Sequence, residues 1–367
     1  MPRRVVVVGA GPIGLAAAIG ALDRAFDVTV LEAGEVGASP RSWGTTRFFT
    51  PLWMNITPRM RAILGDAIPD GDTILTGPEY ADAVLRPLVE RDPLHGRVRT
   101  NTRVVSIARK GLTRTDYAGH PLRGEKPFRI ATSDGDLDSD LIEADVVLDA
   151  TGNSAIPLPF CARPTNVDAI RTLGALDARK NELRGKRVVV VGHGHSAANA
   201  LLALREIGAE ITWIVRTANR RPCEEIANDP LPERQRVVAA ANTLASTVRV
   251  ERRASIESIS GTTVQLTGGR SVEADAIVAL TGYRPANDFT SELALETSPV
   301  SEGGARLYRA ISNITDCLCV PQLAKEDFAS GEPNYFFVGA RAYGRSRTFL
   351  LQTGFAQVET ILESLDD

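Results

Sequence analysis

Cysteine is scarce in this chain: its 367 residues include four, Cys161, Cys223, Cys317 and Cys319, and no C-x-x-C pair. That excludes a disulfide framework as the source of stability, and it excludes a redox dithiol of the usual spacing. Cys317 and Cys319 form a C-x-C, which on a strand would put both thiols on one face; buried, unreactive cysteine is the simpler reading. An excess of one charge is lacking too. Lys and Arg number 42 against 45 Asp and Glu, a net charge of −3, so the basic footprint of a nucleic-acid binder is missing. No apolar run approaches the roughly 20 residues that cross a bilayer. The short run Val5 to Val8, behind two arginines, passes straight into glycines, as a buried strand does and a signal peptide does not. Neither a Ser/His/Asp triad nor a paired-carboxylate pattern stands out. A soluble, cytoplasmic protein that contacts neither membrane nor nucleic acid is expected.

What is present is an ordinary globular composition, 43% hydrophobic and 24% charged, in a chain longer than one average domain. The opening reads as strand 5–9, helix 12–25 and strand 27–32. Further helices are predicted over 58–64, 78–90 and 348–365, and strands over 104–108, 128–131, 146–148 and 335–338. A second strand–glycine–helix–strand unit runs through strand 187–191, Gly192-His-Gly-His-Ser196, a helix to 207 and strand 210–215, and closes with strand 276–280. The fold class is α/β with two Rossmann-like units. The proline-bearing stretch 157–164 suits a hinge.

Gly9-Ala-Gly-Pro-Ile-Gly14 satisfies G-x-G-x-x-G in the context that gives it meaning, after an apolar strand and opening an alanine-rich helix. Gly9 permits the tight turn, Gly11 lets the backbone approach a pyrophosphate, and Gly14 allows close helix–strand packing. Pro12 starts the helix, whose free N–H groups and dipole favour phosphate. Glu32, ending the next strand, can accept from ribose hydroxyls. The second loop lacks the third glycine, with Ala197 and Ala198 there instead, and its second strand ends in Arg216 rather than an acid. Arg216, with Arg220 or Arg221 beyond it, suits a 2′-phosphate by charge and fork geometry, which favours NADPH over NADH. His193 and His195 sit inside this turn with no Cys, Asp or Glu beside them to complete a metal site, so they read as loop residues and no metal is expected.

Two such units in this order, with Ala150-Thr-Gly152 between them and Thr281-Gly-Tyr-Arg-Pro285 after the second, resemble the two-dinucleotide-binding-domain flavoproteins. Thioredoxin reductases, related ferredoxin reductases and flavin-containing monooxygenases belong to that superfamily. The resemblance implies FAD on Gly9, Gly11, Gly14 and Glu32, and NADPH on Gly192, Gly194, Ser196 and Arg216, with His195 and Arg221 close by. Contacts from Trp43, Arg47, Val104, Thr151 and Gly152, and from Gly282, Gly339, Ala340 and Thr348, complete the expected cofactor set. It further implies a discontinuous FAD domain, residues 1–158 and 286–367, around an inserted NADPH domain, 159–285.

Departures bear on the branch. There is no C-x-x-C; Gly339-Ala340-Arg341 stands where a Gly-Asp is usual; and Thr172-Leu-Gly-Ala-Leu-Asp177 stands near where F-x-G-x-x-x-H marks the monooxygenases. On the monooxygenase side are the aromatic loop 43–55, the Thr76-Gly-Pro-Glu-Tyr80 helix start and Asn101-Thr-Arg-Val-Val-Ser106. Trp43, Phe48, Phe49 and Trp53 would exclude water from a C4a-(hydro)peroxyflavin, or they are core. Asn55 would hydrogen-bond the flavin N5 region. Arg345, with Arg341 and Arg347, would anchor an acidic substrate or the flavin's pyrimidine edge, or cap the last helix. The expected activity is NADPH- and FAD-dependent oxygenation of nitrogen or sulfur in a small polar metabolite. A reductase serving a ferredoxin-like protein or small acceptor, and a non-catalytic redox sensor, stand as alternatives, and a homodimer is left open.

Overall fold

The computed structural model describes residues 2–133 and 141–366. From the amino end, β1 (Arg4–Val8), β2 (Asp27–Leu31) and β3 (Val98–Arg99) are followed by an antiparallel meander, β4 (Arg103–Arg109), β5 (Phe128–Ser133) and β6 (Leu141–Ala144), and then by β7 (Val146–Asp149). A short β8 (Ile156–Pro157) leads into the second unit. That unit holds β9 (Arg187–Val191), β10 (Glu210–Val215), β11 (Arg249–Arg252), an antiparallel β12 (Ile256–Ser260), β13 (Thr263–Leu266) and β14 (Arg270–Glu273), and β15 (Ala276–Ala279). The chain returns through β16 (Tyr283–Arg284), antiparallel to β8, and later adds β17 (Tyr335–Phe337).

Two parallel sheets result, ordered β17-β7-β1-β2-β3 and β11-β10-β9-β15. The first takes strands from both ends of the chain and the second lies wholly between them, so one Rossmann unit is inserted into the other. Both central strands are runs of valine buried on both faces, as parallel strands under helices must be. Each is clamped identically at its start. Arg4 donates its N–H and guanidinium to Asp145, before β7, and Arg187 does the same to Asp275, before β15.

The first helix, Pro12–Asp23, is apolar nearly all round because it lies between the sheet and the final helix, Leu351–Asp366. A Cβ at Gly20 would come within 2.6 Å of Leu362 Cδ1, so the two helices are packed closely at this point and a larger residue would need Leu362 to move. The helix expected over 78–90 forms in three pieces, Gly77–Tyr80, a wider-turned Ala81–Leu85, and Arg86–Val89. Pro87 explains the wide turn: it has no N–H for the carbonyl of Ala83, and its ring crowds that carbonyl. Cys317 and Cys319 lie in a short 3-10 turn rather than a strand, so one is buried and the other exposed. No helix among the described residues is long and apolar enough to cross a membrane.

The tail is anchored to the meander by buried charge. Glu332 accepts from Arg109 Nε at 2.8 Å and from Arg123 Nε at 2.9 Å, and all three side chains are fully buried. Backbone carbonyls of Lys126, Pro333, Thr113 and Asp116 take further guanidinium N–H groups, and Arg109 lies over the ring of Phe128. Removing the single anion from between two buried cations is costly. Glu332→Gln is expected to lower unfolding free energy by about 3–5 kcal/mol, read as a lower denaturant midpoint at unchanged slope. A loss below about 1 kcal/mol would show that the cluster does not anchor the tail.

Candidate functional site

Both glycine loops sit at the carboxyl ends of their central strands, where α/β sheets bind ligands. Gly9 has φ +106°, and a Cβ there would lie 2.7 Å from the Ala150 carbonyl oxygen; a Cβ on Gly14 would lie 1.9 Å from the Gly9 oxygen. Gly11 is different. A Cβ there would meet nothing within 4 Å, and no side chain caps the helix that starts at Pro12. The loop therefore has two glycines consumed by packing and one facing open space in front of free N–H groups, as a dinucleotide pyrophosphate requires. Glu32 is held ready beside it, Oε2 accepting from Ala10 N at 2.7 Å and Oε1 from Gly34 N at 3.0 Å. Each oxygen keeps a lone pair for a ribose hydroxyl.

The second loop repeats this plan. Gly192 has φ +122° with its missing Cβ 2.4 Å from the Leu280 oxygen, while Gly194 faces open space. Trp213, buried on β10, donates its indole N–H to the Gly192 carbonyl at 2.6 Å and so pins the turn. His195 and Ser196 lie exposed on the first turn of the helix His195–Glu206. Desolvation of the rings (that of His195 packs against Phe49), reinforced by Arg347 and Arg216 at His193 and by Arg234 and Arg347 at His195, lowers both imidazole pKa values from their ordinary range. A lowered pKa favours the neutral imidazoles, which leaves the backbone N–H groups and the arginines as the loop's donors to an anion. Arg216 is exposed with no ion pair or hydrogen bond among the described residues, whereas Arg221 is tied to Glu225 at 2.7 Å. Among the described residues no group of three or more His, Cys, Asp or Glu could hold a metal ion.

Between the loops, Asp149 ends β7 fully buried. Its Oδ1 accepts from Thr151 N and Oγ1, and its Oδ2 from Tyr335 OH and Arg341 Nε, both at 2.8 Å. Arg341, also buried, reaches Asn287 Oδ1 at 2.7 Å. Of the arginines in the turn after Gly339, Arg341 is therefore an internal tie. Arg345 and Arg347 remain 42% and 74% exposed, each with a carboxylate no nearer than 3.7 Å, Glu302 and Glu224 respectively. Gly339 (φ +63°) packs its bare Cα on Ile13 of the first loop, and Ala340 starts a four-residue helix. Asn153 donates to the Gly344 carbonyl at 2.7 Å, joining this turn to Thr151-Gly152. Thr348 is buried against Ser346 Oγ, and Gly282 (φ +90°) lies exposed beside the β8–β16 ribbon.

The aromatic loop divides between the two units. Phe48 is buried in the first core under Trp43, with ring centroids 4.8 Å apart, while Phe49 packs on the second core and meets the His195 ring edge-on at 5.0 Å. Trp53 is half exposed. Arg47 bridges to Thr76 and donates to the Ile74 carbonyl at 3.0 Å, and Val104 pairs with Thr132 in the meander. Asn55 is buried with its amide spent at home: Oδ1 accepts from Thr50 Oγ1 at 2.8 Å, and Nδ2 donates to the carbonyls of Thr50 and Pro51. It braces the loop from within. Sequence reasoning passed over Asp149, Trp213 and Asp177. An acid directly before Ala-Thr-Gly was the available signal for Asp149; nothing local marked the other two.

A family model of the pyridine nucleotide-disulphide oxidoreductases matches residues 6–302. The chain belongs to that family. Its redox partners are accordingly FAD and a nicotinamide nucleotide, and the two loops fit them. Among solved structures, the bacillithiol disulfide reductase of Bacillus cereus superposes at a TM-score of 0.71, with 19% identity over 100% of this chain and 99% of that one. Thioredoxin reductase of T. acidophilum gives 0.61, at 17% identity over the whole of both chains. S-allyl-L-cysteine S-oxygenase from Allium sativum gives 0.62, at 16% identity over 100% of this chain and 77% of that one. At these identities the likeness is one of fold. No curated protein matches the oxidoreductase.

The two kinds of glycine in the first loop predict different failures. Gly11→Val should fold normally yet lose FAD, because its side chain enters only the space the pyrophosphate needs. Gly14→Ala should disturb the loop itself. Flavin absorbance and thermal unfolding of both variants provide the check, and normal flavin content in Gly11→Val would refute the assignment.

Proposed function

We propose that this oxidoreductase is an NADPH-dependent monooxygenase that oxygenates nitrogen or sulfur in a small polar metabolite. The observation that carries the reading is the aromatic loop folded across to the second unit, with Phe49 on the nucleotide loop and Trp43 over Phe48. Such a wall excludes water where oxygen chemistry would otherwise be wasted. When bound, FAD supplies two-electron chemistry and, once reduced, reactivity toward dioxygen. The chain's own residues bind and shield. Glu32 and the first loop hold the adenosine and pyrophosphate, and Arg345 and Arg347 offer cations to an acidic substrate. Trp53, 51% exposed, stands at the rim. In this reading Asn55 shapes the loop and does not touch the flavin.

A second reading, reduction of a small acceptor, is favoured by one observation. The bacillithiol disulfide reductase agrees over nearly its full length, whereas the S-oxygenase carries additional chain. All four cysteines are free, with Cys223 and Cys317 buried, so an intrinsic dithiol relay is not part of either reading.

With substrate present, monooxygenation consumes dioxygen and NADPH one for one and puts labelled oxygen from 18O2 into the product. A screen of small thioethers and amines that yields only hydrogen peroxide and no labelled product would move the assignment to the reductase. For the nucleotide, Arg216→Ala removes the free cation at the ribose position. It should raise KM for NADPH about tenfold or more and leave KM for NADH within about twofold; equal effects would sink the 2′-phosphate assignment.

A further inference from the structure

Residues 42–49 belong by chain order to the first unit, yet they are stitched to the second at both ends. At one end Thr45 donates its backbone N–H (2.6 Å) and its hydroxyl (2.8 Å) to the same Oδ2 of Asp177, on the helix Leu173–Ala178. Among the described residues no lysine or arginine pairs with this carboxylate, so Thr45 is its partner. Two glycines make the approach possible. A Cβ on Gly44 would lie 2.2 Å from Asp177 Oδ2 and 2.9 Å from Gly174 Cα, and a Cβ on Gly174 would lie 2.8 Å from the Ser42 oxygen, which accepts from Gly174 N at 2.9 Å. Backbone thus meets backbone with no side chain between. At the other end, Phe49 sits on His195, within the nucleotide loop itself. The helix bearing Asp177 is rigid on its own side: Thr172 caps it, accepting from Ala175 N at 3.1 Å, and Leu176 is buried in the second core.

We propose that Asp177 is a positioning residue for electron transfer from the nicotinamide nucleotide to the flavin. Its carboxylate latches the aromatic segment, and through Phe49 the nucleotide loop, at a set distance from the flavin unit. The inference rests on the family's cofactors and not on the fate of the electrons afterwards. Nucleotide affinity is supplied elsewhere, by the Gly192–Ser196 turn and Arg216. Loosening the latch should therefore slow reduction without weakening binding, because a misplacement of about 1 Å in a reacting pair costs up to about 100-fold in rate.

The test is anaerobic stopped-flow reduction of the FAD-loaded enzyme by NADPH, which needs neither dioxygen nor substrate and so stands apart from the monooxygenase reading. Asp177→Ala and Thr45→Val should lower the limiting reduction rate about 10- to 100-fold and about 3- to 10-fold respectively, with Kd for NADPH within about threefold. Asp177→Asn, which keeps an acceptor oxygen for Thr45, should recover most of the rate. A second readout is independent of turnover. Arg41 and Arg47 flank the latch, and trypsin should cut there faster in Asp177→Ala than in the parent, with the remaining sites unchanged. An unchanged limiting rate in both Asp177→Ala and Thr45→Val would overturn the proposal. So would a loss of rate in Asp177→Ala matched by an equal loss of nucleotide affinity.

Discussion

Both glycine loops depend on a contact between a glycine and the carbonyl just past the end of the neighbouring strand. The Ala150 oxygen lies 2.7 Å from where a Cβ of Gly9 would be, and the Leu280 oxygen 2.4 Å from a Cβ of Gly192. That contact lets two parallel strands converge under the turn, and it aims the following helix so that its free N–H groups face outward at Gly11 and Gly194. Positive φ at both positions excludes other residues on backbone grounds before packing is considered. The second loop has room for Ala197 where the first demands Gly14, since a Cβ on Gly14 would lie 1.9 Å from the Gly9 oxygen. The common plan thus survives alanine at its third small position, but not a side chain at its first glycine.

Around this shared geometry the two units differ in charge. Glu32 is fastened by two backbone N–H groups and presents an acceptor, whereas Arg216 has no ion pair or hydrogen bond among the described residues and presents a donor. The buried ion clusters, Asp149–Arg341 and Arg109–Glu332–Arg123, spend their charge within the protein. They tie the returning tail to the first sheet and its meander, and they are the reason that Arg341 is unavailable to a ligand while Arg345 and Arg347 remain exposed.

Glycine turns and valine strands were legible in the sequence because their constraints are local. A positive φ or a buried parallel strand leaves its mark within ten residues, and the strands at 187–191 and 210–215 emerged with their ends unchanged. Contacts spanning long stretches of chain were not legible. Asp149 and Arg341 are 192 positions apart, and Thr45 and Asp177 are 132 apart. Asn55 reads as a polar residue in an aromatic loop until its amide is seen to be satisfied by Thr50 and Pro51. The reading of one helix over 78–90 passed over Pro87, before which the helix widens while Tyr80, Val84 and Leu88 stay in the core.

The place of β17 has a consequence for the order in which the molecule can be made. The first sheet pairs β17 with β7, so it lacks an edge strand until residue 337 has left the ribosome. The second sheet is complete at residue 279. Domains fold as units during synthesis, and here the unit begun later can close first. The inserted unit would then be in place while the unit that opens the chain, its first glycine loop long since translated, still waits for the tail that finishes it.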